Sequence, residues 1–406
     1  MAQTLYPGSL SRCFEENLNM NYRKKKQEGS AMTIRVVCAI VFILFSWCWL
    51  FYFQNDLLKM AQHVLSHGIT HYNRLVGAIG ITLVLYLLQH LIHKVTQLNK
   101  SFYALTYFPS MLALGMLTDI VPDPAGGITH DFSWWLIIFY LLLWGGCTYL
   151  FTKLQEIDDD PYTNILSRSM WMNLLIMIIL MIMTVSIGNT NAVFHYRMRA
   201  ERCLLEKDWD GALAAGKKSL ECDEHLVMLR MQALARKDAL GEKLFEYKVC
   251  GSSKSILPTN GGSTLLLYPV DSVYKFMGAA PAYQMEPMHY LELVQHHVLC
   301  KDSVPSKVVA DYQLSGYLID KQLDAFASEI GKYYALNDSL PKHYREALVL
   351  YGHLRSKPVA VYRNTVLDED YENFRELRRQ YPNKMEQKGK VEDQYFGTYW
   401  YYYWYE

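Results

Sequence analysis

The sequence predicts an all-α protein, with about five transmembrane helices followed by a soluble array of helical hairpins. Three observations carry that expectation. Long uncharged runs are concentrated between residues 32 and 190. Most Lys, Arg, Asp and Glu fall between 191 and 406, as a hydrated surface requires. Beyond residue 190, apolar residues recur about three per two turns, the period of amphipathic helices, and short turns separate the segments. The chain therefore reads as a cytoplasmic tail (1–31), a membrane bundle (32–190) and a helical domain (191–406). Its overall balance of 40 basic and 40 acidic residues conceals two different solvents.

A helix needs about 20 apolar residues to cross ~30 Å of hydrocarbon. Five segments meet that length, near 33–53, 75–93, 101–118, 132–152 and 169–188. The third is short and carries Pro109, which kinks it or makes it re-entrant, so four spans is the competing count. The first 31 residues are polar, include the basic run 23–26 and precede no small-residue cleavage site, so the first span reads as a retained signal anchor. Cytoplasmic loops retain Lys and Arg. With the N-terminus inside, that side holds ten basic residues (Arg12, Arg23, Lys24, Lys25, Lys26, Arg35, Lys94, Lys100, Lys153 and Arg168) against Lys59 and Arg74 outside. Five spans then place residues after Gly188 on the far side, the periplasm of a Gram-negative host. Trp47, Trp49, Trp134, Trp135 and Trp171 sit near span ends, as headgroup anchors do. Membrane lipids are thus one expected partner.

Two loops hold polar residues of possible chemical use. Residues 56–73 read as an interfacial amphipathic helix with Leu57, Leu58, Ala61, Val64, Leu65 and Ile69 on its apolar side. His63, His67 and His71 follow the i, i+4, i+8 spacing of metal ligands, but no further ligand beyond Asp56 completes a set, and a solvated face is the simpler reading. Loop 119–131 is acidic and lacks Lys and Arg. Asp119, Asp123 and Asp131, with Asp56, are the candidate catalytic carboxylates of a membrane glycosyltransferase; a solvated acidic turn is the simpler reading. Within the spans, ionisable residues are confined to positions near the ends and Asn173 is the polar exception, which argues against transport.

In the soluble half, helices are expected near 195–206, 209–222, 225–237, 240–249, 288–299, 306–319, 321–336, 341–354 and 368–380. The Gly-, Pro- and Ser-rich stretch 251–287 reads as a long connection with a short extended piece at 264–268. Residues 196–224 resemble one tetratricopeptide repeat (TPR). Tyr196 and Ala200 take its aromatic and small positions on the first helix, Trp209 the aromatic after the turn, Ala212 the small contact residue, and Ser219 a position that is usually alanine. Lys207, Gly216 and Glu224 depart from the pattern. The resemblance implies a TPR-like array whose later units are degenerate.

Most of residues 190–406 also resembles an uncharacterised family of multi-pass inner-membrane proteins associated with Bacteroidetes. The phrases that carry this are LGEKLFEY at 240–247, LPKHYREAL at 340–348 and GTYWYYY at 397–403. The resemblance implies a periplasmic repeat domain on a membrane anchor, and no activity.

Signatures of hydrolytic or nucleotide chemistry are missing from the sequence: there is no GxSxG, HExxH, Walker or GxGxxG element. No cofactor or metal is expected. Near-zero net charge, without aromatics interleaved with basic residues, excludes nucleic acid as a partner. The adjacent pair His296 and His297 points to different helix faces. His343, Tyr344, Arg345 and Glu346 form a possible polar constellation, with core packing of Tyr344, Ala347 and Leu348 as the simpler reading. The eight cysteines show no CxxC; Cys203, Cys222, Cys250 and Cys300 leave any disulfide pairing open. The tail carries nine aromatic residues in its last twelve, among them Tyr399, Trp400, Tyr401, Tyr402, Tyr403, Trp404 and Tyr405. Such a surface must be covered, by the helical core, by headgroups or by a ligand. The expected function is a membrane-anchored scaffold of the cell envelope that binds a protein or peptide; a membrane glycosyltransferase or related envelope enzyme is the alternative.

Overall fold

The computed structural model describes residues 29, 31–123, 127–154, 167–258, 265–281, 284–296 and 307–406. Arg12, the basic run 23–26, Thr264, His297 and Cys300 lie outside the described residues. The described chain is predominantly helical; the two-residue strands β1 (Val121–Pro122) and β2 (Ile128–Thr129) form its one ladder. It falls into two compact units, Met1–Val121 with Ile128–Thr190, and Asn191–Glu406 with Pro122–Gly127.

Four helices of the first unit are long and apolar enough to cross a membrane: α1 (Ala31–Phe53), α3 (Arg74–Thr96), α5 (Trp134–Leu154) and α6 (Arg168–Ile187). Large apolar side chains on their outer faces, such as Leu83, Leu142 and Ile182, are exposed as lipid contact requires. Trp134, Trp135 and Trp171 are exposed as well, whereas Trp49 is buried and donates from Nε1 to Thr118 Oγ1 at 3.1 Å. Between α1 and α3 lies α2 (Asn55–Leu65), which buries Leu57, Leu58 and Ala61 but leaves Leu65 exposed.

The expected third span is not one continuous α-helix. A 3-10 segment (Lys100–Tyr107) leads into the short α4 (Phe108–Thr118). Pro109 explains the break, because it has no N–H for the carbonyl of Leu105. That carbonyl accepts instead from the Phe108 N–H and from Trp144 Nε1 of α5 at 2.9 Å. Phe102 leaves helical geometry (φ −125°, ψ 20°), and Asn173 of α6 takes up the neighbouring backbone groups. Its Oδ1 accepts from Ala104 N–H at 2.7 Å, while Nδ2 donates to the carbonyls of Lys100, Ser101 and Ser169. Non-helical backbone away from water is tolerated when protein groups satisfy it in this way.

The composite segment follows α6 from end to end. Ser101 and Ser169 hydroxyls meet at 2.9 Å, Thr184 Oγ1 donates to Met111 O at 3.1 Å, and Asn189 N–H donates to Thr118 O at 3.0 Å. At ~2.0 Å per 3-10 residue and ~1.5 Å per α residue, its length is on the order of 30 Å. At the end marked by Thr118 and Asn189, Gln54 Nε2 donates to Asn189 O and Arg74 Nε to Phe51 O. Near the opposite end, Arg35 lies over the Tyr103 ring and Phe102 stacks on Phe151.

The second unit holds α7 (Ala192–Leu205), α8 (Trp209–Ala214), α9 (Glu224–Arg236), α10 (Leu240–Lys243), α11 (Val270–Met277), α12 (Pro287–Gln295), α13 (Lys307–Ile319), α14 (Leu323–Tyr333), α15 (Lys342–Leu354), α16 (Thr365–Gln380), α17 (Lys384–Tyr395) and α18 (Tyr399–Tyr405). Neighbours pack as hairpins over much of this length, including α7 with α8, α12 with α13, and α14 with α15. Several packings break the sequential order of a repeat array, in which each unit touches only its neighbours. The helix α10 packs on α15, where Gly241 leaves room for the Tyr344 ring; a Cβ there would stand 2.5 Å from Tyr344 Cζ. The terminal α18 packs on α15 and α17. The expected long connection contains α11, closed at its C-terminus by Gly278. Residues 266–268 form bends and no strand, since Glu201 Oε2 accepts the N–H groups of Leu266, Leu267 and Tyr268 at 2.8, 2.7 and 3.2 Å.

Candidate functional site

Two open clefts lie on the second unit. The larger, about 640 Å³, is lined by the loop after α8 and by Glu246, Lys342, Glu392, Phe396 and Gly397. Its loop wall arises because α8 stops at Ala214. Gly216 takes φ +62° against the Tyr196 ring, a conformation and a proximity that disfavour any side chain. The buried Arg230 then holds the loop through the carbonyls of Ala215 and Gly216, donating to them at 3.2 and 3.0 Å. Lys217, Lys218 and Leu220 are left exposed, and Leu220 has 70% of its surface free. On the facing wall Lys342 opens α15, with its N–H donating to Glu242 Oε2 and its Nζ to Gly397 O. Phe396 is 41% exposed. The cleft thus combines two exposed apolar side chains with three lysines and two glutamates.

The second cleft, about 360 Å³, is lined by His353, Tyr371, Arg375, Arg378, Arg379 and Trp404 among others. Arg378 stacks on Trp404 at 3.9 Å from the ring centroid and donates from Nε to Tyr405 Oη at 3.2 Å. Arg375 pairs with Glu372 at 2.6 Å, and His353 stands 3.6 Å from both Asp368 and Glu372. Stacking leaves guanidinium donors free for an anionic group, while the two acidic partners moderate the charge.

The aromatic tail supplies part of this second cleft and much of the core beneath it. Tyr399, Trp400, Tyr401 and Tyr402 are buried, Tyr403 and Tyr405 are half-buried, and Trp404 stays at the rim. Tyr399 and Tyr402 donate their hydroxyls to Leu318 O and Ile319 O, and Trp400 Nε1 donates to Glu346 O. Burial pushes the Tyr399 and Tyr402 phenols well above the usual range. In the constellation on α15, His343 and Glu346 are both buried and bonded to each other, while Tyr344 donates to Asp311 Oδ1 at 3.1 Å.

Of the repeat residues, Ala200 and Ala212 are buried, and Tyr196 lies against Gly216. Trp209 is half-buried with Arg236 over its ring, and Ser219 falls beyond α8 instead of on a second repeat helix. The histidine stripe does not form. The helix ends at Leu65, His67 adopts φ +51°, and His67 and His71 leave helical register with His63. No group of three or more metal-binding side chains occurs among the described residues. Asp119 is buried and its Oδ2 accepts the N–H groups of Asp131 and Phe132 at 2.9 and 2.6 Å, so its carboxylate fixes the entry to α5. Asp56 Oδ1 accepts from Asn55 Nδ2, Asp123 N–H donates to Gly127 O, and Asp131 is exposed. Sequence reasoning passed over Lys217, Lys218, Leu220, Lys342 and Phe396, and also Arg375, Arg378 and Arg379. The basic run 375–379 was the available signal, but on a helix it reads as a solvated face.

Residues 292–406 match a family described as "Family of unknown function (DUF6057)". The match covers α13 to α18, including the second cleft and the Lys342–Phe396 wall of the first. No curated protein and no solved structure matches the chain.

Proposed function

We propose that this is a membrane-anchored scaffold of the bacterial cell envelope, whose helical unit binds a protein or peptide. The observation that supports this most directly is the larger cleft. Exposed Leu220 and Phe396 supply apolar anchor points, and Lys217, Lys218 and Lys342 beside them favour a segment that carries acidic residues next to apolar ones. The basic, aromatic second cleft supplies a further contact for an acidic group.

The anchor is a bundle of five crossings in an inner membrane, with the N-terminus cytoplasmic and the helical unit periplasmic. The composite segment 100–118 serves as the third crossing, because it is long enough and runs beside α6 with both pairs of ends in register. The ten-to-two distribution of basic residues sets the orientation.

Photo-crosslinking residues placed at Leu220 and Phe396 of the full chain, in its own membranes, test the binding role. A discrete protein adduct is expected from both positions. None is expected from Met385, which is 86% exposed on α17 and lines neither cleft. Loss of the adduct in the Lys217→Glu, Lys342→Glu double variant would support the charge assignment. No adduct, or the same adducts from all three positions, would refute the proposal.

A further inference from the structure

Two loops of the second unit meet at a pair of thiols. Cys222 lies just before α9 and Cys250 just after the 3-10 turn Leu244–Glu246, and their sulfurs are 2.7 Å apart. Both are half-buried, within reach of small reagents. Cys203, by contrast, is buried, and burial raises its thiol. We infer that Cys222 and Cys250 form a redox-active dithiol that closes to an intramolecular disulfide.

The surroundings favour closure. Arg230, from α9, donates to Ala215 O and Gly216 O in one loop and to Lys248 O in the other, at 3.2, 3.0 and 3.2 Å. The two strands of chain are therefore already held side by side, and bond formation requires little backbone movement. The pair is also chemically unequal. Their hydrogen bond, with Arg230 and Lys248 nearby, lowers the Cys222 thiol, while that same bond and burial raise the thiol of Cys250. Cys222 is accordingly the nucleophile.

The oxidant is a disulfide, of a small molecule or of a thiol oxidase. Cys222 thiolate attacks one of its sulfurs, breaking that bond and releasing one thiolate. Cys250 then loses its proton and attacks Cys222 Sγ, expelling the second thiolate. Two electrons pass to the oxidant, which leaves as two thiols with two protons. The linked loops carry Lys217, Lys218 and Leu220 on one side and Glu246 on the other, so the disulfide fixes one edge of the larger cleft.

Full chain isolated from its own membranes without reductant, blocked with N-ethylmaleimide and digested, should yield a peptide linking Cys222 to Cys250 by mass spectrometry. If the thiols are free on isolation, excess oxidised glutathione should create the same link, and both outcomes support the pair. In reduced protein, substoichiometric label should enter Cys222 first. The link should persist in Cys203→Ser. Both thiols remaining alkylatable after oxidised glutathione, or a link from either cysteine to Cys203 or Cys300, would overturn the inference. These readouts use thiol chemistry alone, so they stand whether or not the cleft binds a partner.

Discussion

His343 Nδ1 lies 2.9 Å from Glu346 Oε2 on the buried side of α15, and this pair joins three parts of the helical unit. Nε2 of His343 accepts the Phe245 N–H at 3.2 Å, so Nδ1 carries the proton and donates to the carboxylate. Glu346 Oε2 also accepts the Tyr399 N–H at 2.7 Å. The turn after α10, the middle of the domain and the aromatic tail are thus bridged by two side chains.

Removing the carboxylate in Glu346→Ala leaves the His343 and Tyr399 donors buried without a partner, at about 1 to 3 kcal/mol each. Glu346→Gln keeps one acceptor and should lose less. Urea unfolding of the full chain in detergent, followed by tryptophan fluorescence, measures both. An alanine variant with the parent's midpoint would remove this bridge from the account of stability.

The tail should behave as core. Trp400 is fully buried, and Trp400→Ala should cost about 3 to 5 kcal/mol, whereas Trp404→Ala at the cleft rim loses mainly its stacking on Arg378, about 1 kcal/mol. Deleting residues 399–406 should lower the melting temperature of the full chain and increase dye binding. Equal losses from Trp400 and Trp404 would contradict this placement.

Much of this architecture was legible in the residues, and the exceptions have physical causes. Uncharged runs located α1, α3, α5 and α6 because lipid selects on length and apolarity alone. The break at 100–118 was foreshadowed by Pro109, but its repair by Asn173 and Trp144 depends on contacts far apart in sequence. Helix α17 was missed because KMEQKGKVEDQY buries only Val391 and Tyr395, too few to make a stripe. The repeat pattern placed Ala200 and Ala212 in the core. It carried the second helix too far, since Gly216 turns the chain after Ala214, and it left Trp209 half-buried under Arg236. Neither cleft was legible, because each is assembled from helices and loops distant along the chain.

Asp311 gives a pH dependence with a definite sign. Burial pushes its carboxyl above the ordinary 3.8, although Tyr334 and Tyr344 donate to it. The folded chain then holds this proton more tightly than the unfolded chain. Its contribution to stability is fully present below the ordinary carboxyl value and is lost as pH rises through the raised one. Asp311→Asn keeps an acceptor for both hydroxyls and removes the titration. Relative to the parent, the variant should gain stability as pH rises above the ordinary carboxyl value. Parallel unfolding curves with a constant offset would show that Asp311 does not titrate in this range.

Under the proposed topology, segment 100–118 decides on which side of the membrane the helical unit lies. If it crosses, the ends marked by Gln54, Asp119 and Asn189 share one side, and the chain leaves α6 opposite to its start. Alkaline phosphatase fused after Gln54, Asp131 or Glu406 should then be active in the periplasm, and fusions after Gln97 or Lys153 should be inactive. If the segment instead folds back to the side it came from, the fusions after Asp131 and Glu406 become inactive while that after Gln54 stays active. Asn173→Leu tests the physical basis separately. It removes the amide that bonds the carbonyls of Lys100 and Ser101 and the N–H of Ala104. The variant should unfold or be proteolysed near 100–104 sooner than the parent. An Asn173→Leu protein as resistant as the parent, with the Asp131 fusion inactive, would reduce the bundle to four crossings and place the helical unit in the cytoplasm.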